Sequence, residues 1–175
     1  MHLWPTPLLA RVLLTGLAVI IALFLALLAL HRKRELYTEI WIDRSPEQVW
    51  KIFADTKNYP SWNPLIHSFE GEIRTGSVIT IEIGAPGSKS LVIKPRILAA
   101  QRNVELRWLG KLAFGGLFDG EHHFQLFPEN HGTRFIQRER FSGLLIGPLT
   151  DSVLAQTKKG FEAMNQALKT RAESR

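Results

Sequence analysis

Residues 118–168 constrain the fold more than any other part of the chain: FDGEHHFQLFPENHGTRFIQRERFSGLLIGPLTDSVLAQTKKGFEAMNQAL. They read as two long strands and then a long helix. Strand alternation puts Phe118, Gly120, His122, Phe124 and Leu126 on one face, with Asp119, Glu121, His123 and Gln125 opposite. In the second strand Phe135, Gln137, Glu139 and Phe141 alternate with Arg134, Ile136, Arg138 and Arg140, and three arginines mark the latter face as the wet one. The connection Pro128-Glu129-Asn130-His131-Gly132 is rich in turn formers. A hairpin closing near Pro128 and Thr133 sets Phe124 beside Gln137, Gly120 beside Phe141, and His122 beside Glu139. The register therefore predicts a His–Glu pair among phenylalanines on the inner face. Leu149, Val153, Leu154, Phe161, Met164 and Leu168 then recur at helical spacing. One curved sheet holding one long helix is the arrangement this stretch dictates.

Residues 12–30, VLLTGLAVIIALFLALLAL, carry no charge. At about 1.5 Å per residue such a run nearly matches a hydrocarbon core of roughly 30 Å, so a transmembrane span is expected over about residues 9–30. A cleaved signal peptide is the rival reading, but no small-x-small cleavage site ends the run and His31-Arg32-Lys33-Arg34 follows directly. Those three Arg/Lys charges outnumber Arg11 on the other side, which predicts a single-pass protein with its C-terminal domain cytoplasmic. Trp4 stands where an anchor at the opposite interface would be.

The chain of 175 residues, 45% hydrophobic, suits one compact domain plus this accessory segment. It contains no cysteine, which excludes disulfides, thiol catalysis and cysteine metal sites. The net charge is +6, but no basic helix, zinc-finger spacing or RNA-binding strand signature accompanies it, so a nucleic-acid partner is not expected. A basic flank beside a membrane is the simpler origin of that charge.

The remaining elements follow in order. Residues 35–43 alternate as a strand. Ser45-Pro46-Glu47-Gln48 opens a helix with an N-cap, a proline at the first position and a capping-box glutamine. Val49, Trp50, Ile52 and Phe53 give that helix a buried face, and Asn58-Tyr59-Pro60-Ser61-Trp62-Asn63-Pro64 breaks it. Strands are expected at 66–73, 78–83, 91–98 and 104–109, separated by short turns such as Ala85-Pro86-Gly87-Ser88. Their regular spacing predicts an antiparallel sheet.

This order resembles the START-like superfamily, which includes polyketide cyclase/dehydrase-like proteins, the birch-pollen allergen type and lipid-transfer START domains. The resemblance rests on Ser45-Pro46 through Val49-Trp50, Tyr59-Pro60-Ser61-Trp62-Asn63-Pro64, His122-x-Phe124, Arg138-Glu139-Arg140-Phe141-Ser142-Gly143 and Gly160-Phe161-Glu162-Ala163-Met164-Asn165. It implies an α+β helix-grip fold: a curved antiparallel sheet of about seven strands wrapped around the C-terminal helix, with an apolar cavity between them. Residues 1–34 would be an added membrane anchor with a basic flank, and 35–175 the ligand-binding domain. The superfamily holds carriers, receptors and enzymes alike, so no single reaction is implied.

Parity and helix spacing propose a lining for that cavity: Phe118, His122, Phe124, Phe135, Gln137, Glu139 and Phe141 from the hairpin, Leu154, Thr157, Phe161 and Met164 from the helix, and Trp62 near the mouth. The expected partner is an apolar small molecule or lipid. The alternative is that the same residues fill a core, which would make the domain a non-catalytic interaction module with a collapsed cavity. His122 and Glu139 admit a catalytic reading, with the carboxylate orienting the imidazole as a general base for enolisation or aldol cyclisation. They equally admit a structural one, a buried polar pair that satisfies itself. No metal site is expected, because adjacent His122 and His123 point to opposite faces. No cofactor is called for: 84–90 lacks the spacing of a phosphate loop. Gly115-Gly116 marks either a loop over the cavity mouth or a bulge.

Overall fold

The structure, a computed structural model, describes residues 7–30, 32–84, 86–87, 89–146 and 150–174. Trp4, His31, Ala85, Ser88 and Leu149, singled out above, lie outside them. An apolar helix, α1 (Pro7–Leu30), precedes strand β1 (Arg32–Ile42), helix α2 (Pro46–Phe53) and a 3-10 turn over Thr56–Ser61. Strands β2 (Ile66–Glu70), β3 (Thr80–Ile83), β4 (Leu91–Ile93), β5 (Arg96–Gln101), β6 (Glu105–Lys111), β7 (Asp119–Glu129) and β8 (Gly132–Gly143) follow. A second 3-10 turn (Leu144–Ile146) leads to the long helix α3 (Thr150–Glu173).

The strands form a five-stranded antiparallel sheet, β1-β8-β7-β6-β5, and a three-stranded one, β2-β3-β4. A Val78–Arg96 bridge joins them. The single strand expected over 91–98 is thus two, split where Pro95 has no N–H to give the ladder. Its carbonyl still accepts from Ile79 N at 3.0 Å, which keeps the two sheets in one curved surface.

The β7–β8 register is the expected one: Gly120 opposes Phe141, His122 opposes Glu139, and Phe124 opposes Gln137. The strands run closer to the turn than the sequence suggests. Pro128 pairs with Thr133 and Glu129 with Gly132, leaving only Asn130 and His131 at the tip with φ of 49° and 66°. Two positive φ values make the primed turn whose twist matches a hairpin. Ser45 caps α2 as its sequence predicts, accepting from Gln48 N while Gln48 Oε1 accepts from Ser45 N at 3.0 Å.

One boundary moves. The basic flank assigned to the anchor is already sheet: β1 begins at Arg32, and Arg32, Lys33 and Arg34 pair with Gly143, Ser142 and Phe141. The extended end of β8 offers unpaired backbone groups there, and hydrogen bonding outweighs the charge of the flank. Helix α3 lies along β1. Asn165 Nδ2 donates to Thr38 Oγ1 at 3.1 Å, Lys169 Nζ to the Trp41 carbonyl at 2.9 Å, and Glu173 accepts from Asp43 N at 2.9 Å. Its C-terminal end therefore sits at the far end of β1, and its N-terminal end near the strand's beginning.

Candidate functional site

The inner face of the large sheet and the facing stripe of α3 meet in two unlike halves. At the far half the contact is a packed aromatic core. Phe53 of α2 lies 5.0 Å from Phe124 and 5.5 Å from Phe135, and Trp108 lies 4.8 Å from Phe124. Phe124, Phe135, Phe161, Met164 and Leu168 are all fully buried. Here the phenylalanines pack in offset and edge contact, as aromatic rings do in a protein core.

His122 closes the top of this core. Its ring stacks between Phe124 and Phe161, with centroids 4.0 and 4.4 Å away. Its Nε2 meets Gln137 Oε1 at 3.1 Å, so the expected hydrogen-bonded pair with Glu139 is not what forms. The physical reason lies in α3. Gln137 Nε2 donates to the Phe161 carbonyl at 3.3 Å and to Asn165 Oδ1 at 2.6 Å, and a carbonyl can only accept. That fixes the amide with its oxygen toward the histidine, and His122 must donate from Nε2. A buried polar chain, His122–Gln137–Asn165–Thr38, thus ties β7, β8, α3 and β1 together. Burial lowers the His122 pKa to about 3, the Gln137 bond opposing the shift only in part. A neutral imidazole held this way is a weak base near pH 7.

The near half is different. Leu154 and Thr157 share the sheet-facing stripe of α3 with Phe161, Met164 and Leu168, at spacings of three and four. Yet they are only half-buried, and from Asp151 to Lys159 no described residue of α3 is buried, whereas from Gly160 onward buried residues recur each turn. The sheet opposite presents Leu36, Phe118 and Glu139, all half-buried, with Gly120 and Phe141. Helix and sheet are therefore less completely buried here than in the far half.

Glu139 lies on the sheet in this half. A Cβ on Gly120 would lie 2.6 Å from Glu139 Oε1, so the missing side chain at 120 is what makes room for the carboxyl. Glu139 has no hydrogen-bond or salt-bridge partner among the described residues, and burial pushes its pKa up to about 8. A carboxyl that is mostly protonated near neutral pH can donate a hydrogen bond to a carbonyl or hydroxyl.

Other expected residues lie elsewhere. Trp62 is half-buried and packs edge-on against Tyr59 at 5.3 Å, its indole N–H without a partner among the described residues. The arginines of the outer face are matched: Arg138 and Arg140 meet Glu35 at 3.3 and 3.0 Å, and Arg134 meets Glu129 at 3.4 Å. His123, on that outer face, meets Glu121 at 2.9 Å. Two surface grooves are lined by described residues. One, about 370 Å³, lies between α2 and the far end of the sheets, against Trp50, Ala54, Gly71 and Arg102. The other, about 680 Å³, includes Lys33, Arg34, Glu35, Glu121 and Arg140. Thr38 and Asn165 were missed as members of the polar chain. A polar residue inside each apolar stripe, Thr38 between Leu36 and Ile40 and Asn165 beside Met164, was the available signal.

A family model described as polyketide cyclase / dehydrase and lipid transport matches residues 33–173. No curated protein matches the chain. Solved structures of the same fold include Ara h 8.0201, with TM-score 0.64 and 17% identity over 82% of this chain and 100% of that one. A START superfamily protein from Mycobacterium smegmatis gives TM-score 0.61 and 19% identity over 80% and 97%. The di-domain ARO/CYC StfQ of the steffimycin biosynthetic pathway gives TM-score 0.62 and 10% identity over 81% of this chain and 52% of that chain. At such identities the likeness is one of fold.

Proposed function

Because the chain belongs to the polyketide cyclase / dehydrase and lipid transport family, we propose that it binds an apolar small molecule or lipid between the N-terminal half of α3 and the near end of the sheet. The observation that carries this reading is the graded burial of one helical stripe: Leu154 and Thr157 half-buried, Phe161, Met164 and Leu168 fully buried. Apolar side chains on a core-facing stripe normally lose their contact with water, and a ligand would complete that burial. Glu139, Phe118 and Phe141 would line the opposite wall, and Glu139 would supply the polar contact that fixes orientation.

The helix α1 would hold this domain at a membrane. Its residues 8–26 have a mean hydropathy of 2.6 and none of them is buried, so length and composition suffice to cross a bilayer. The excess of Lys and Arg after the helix favours a cytoplasmic domain. Tethering would keep the site beside the phase into which apolar ligands partition.

A second reading, catalysis of a cyclase or dehydrase type, is favoured by Glu139 alone: its raised pKa lets it carry a proton to or from a bound polyketide. His122, neutral and bonded to Gln137, would hold the wall in place and take no part.

Titration of the full-length chain in nanodiscs with an environment-sensitive apolar dye tests the binding reading. Leu154→Trp fills the opening, and saturable binding should disappear while the thermal midpoint stays level or rises. Undiminished binding by that variant would overturn the placement. Turnover of a polyketide substrate that survives Glu139→Gln would remove the catalytic reading.

A further inference from the structure

We propose that the β6–β7 loop, tipped by Leu112 and Phe114, inserts into the membrane interface beside α1, so that the domain docks with its open end on the bilayer. This rests on the reading of α1 as a membrane span. One residue separates the last residue of α1 from the first of β1, so covalent geometry allows at most about 7 Å between them. The beginning of β1 must then lie at the membrane surface. Arg32 is paired with Gly143, and Leu144 N and Leu145 N donate to the carbonyls of Gly116 and Leu117 at 3.1 Å each. Those two residues belong to the β6–β7 loop, which Leu112 N closes on the Phe118 carbonyl at 2.9 Å. Three hydrogen-bonded steps thus fix the loop at the end of the sheet where the chain leaves α1, within about two strand spacings of it, roughly 10 Å.

At the tip Leu112 is 49% and Phe114 64% exposed. Single exposed apolar residues need no explanation, but two on one loop at the anchored end do. Gly116, at φ +87°, and the bond from Gly116 N to Asp119 Oδ2 at 2.9 Å hold the loop in shape. Lys111 at its base, with Lys33 and Arg34 on β1, gives the same end an exposed basic rim. An apolar tip ringed by cations fits an interface of anionic headgroups over acyl chains. Insertion would also set the opening between α3 and the sheet against the bilayer, since α3 begins at this end.

The chain has no cysteine of its own, so single labels can be placed at will. Full-length Phe114→Cys, Ile20→Cys and Glu70→Cys, each carrying a nitrobenzoxadiazole label, are reconstituted in vesicles of phosphatidylcholine with phosphatidylglycerol and quenched by doxyl lipids. The label at 114 should be quenched about threefold more than the label at 70, with a blue-shifted emission, and the label at 20 strongly quenched. Quenching at 20 with 114 as wet as 70 overturns the docking and leaves the span intact. Absence of quenching at 20 and 114 overturns the span and the docking with it. A blue shift at 114 without lipid quenching means that protein covers the tip, and it too overturns the proposal.

Discussion

Glu139 and His122 oppose each other across the β7–β8 ladder and titrate in opposite directions. Burial raises the carboxyl to about 8, so the folded state holds its proton while the unfolded chain, near 4.5, has lost it. The stability this proton confers is lost as pH rises from about 4.5 through 8. Burial lowers the imidazole to about 3 against 6.5 unfolded, so its contribution is lost as pH falls from 6.5 through 3. The two slopes oppose each other between 4.5 and 6.5. Melting of the full chain should therefore be flat there and fall on both sides. Glu139→Gln should remove the alkaline fall, on the order of 2 kcal/mol by pH 8. An alkaline limb unchanged in that variant would show that another group controls it. Gln137→Leu should cost about 2–4 kcal/mol, because it strands the His122 N–H and Asn165 Oδ1 without partners. A denaturant titration in which that variant matches wild type would mean that the polar chain is not maintained. None of this was open to parity alone. Alternation placed His122 across from Glu139 correctly, but the hydrogen bond is decided by α3, whose Phe161 carbonyl orients the Gln137 amide, and no local pattern reports that.

At the scale of elements, α3 carries the division between a fully buried half and a half-buried one. Phe161→Ala should destabilise by about 3–5 kcal/mol and Leu154→Ala by less than about 1 kcal/mol, measured by chemical denaturation. Equal losses would mean that both residues are packed alike and that the near half is solid. The β7–β8 turn offers a gain: His131→Gly removes a side chain from a left-handed position and should stabilise by up to about 1 kcal/mol. A lower midpoint would show that His131 makes a contact worth more than its strain. These elements were legible because their signals are local. The capping box before α2, the two-face alternation of the hairpin and the helical stripe all belong to short stretches. The start of β1 and the break at Pro95 were not, because pairing partners far along the chain set both: Gly143 for Arg32, and Ile79 for the strand around Pro95.

For the molecule as a whole, a helix fit to cross a membrane is joined through a single residue to a helix-grip domain whose long helix is fully buried on its sheet-facing stripe at one end and half-buried at the other. A reporter fused to the C-terminus should be active only in the cytoplasm, and activity on the opposite side would reverse the orientation expected from Arg32, Lys33 and Arg34. The proposed opening is tested most directly by photolabelling. The full-length chain in nanodiscs is irradiated with a diazirine-bearing fatty acid and the labelled peptides are mapped by mass spectrometry. Label is predicted on the segments holding Leu154, Thr157, Glu139 and Phe141, and competition with unlabelled fatty acid should remove it. Label confined to α1, or spread evenly and indifferent to competitor, would contradict the account.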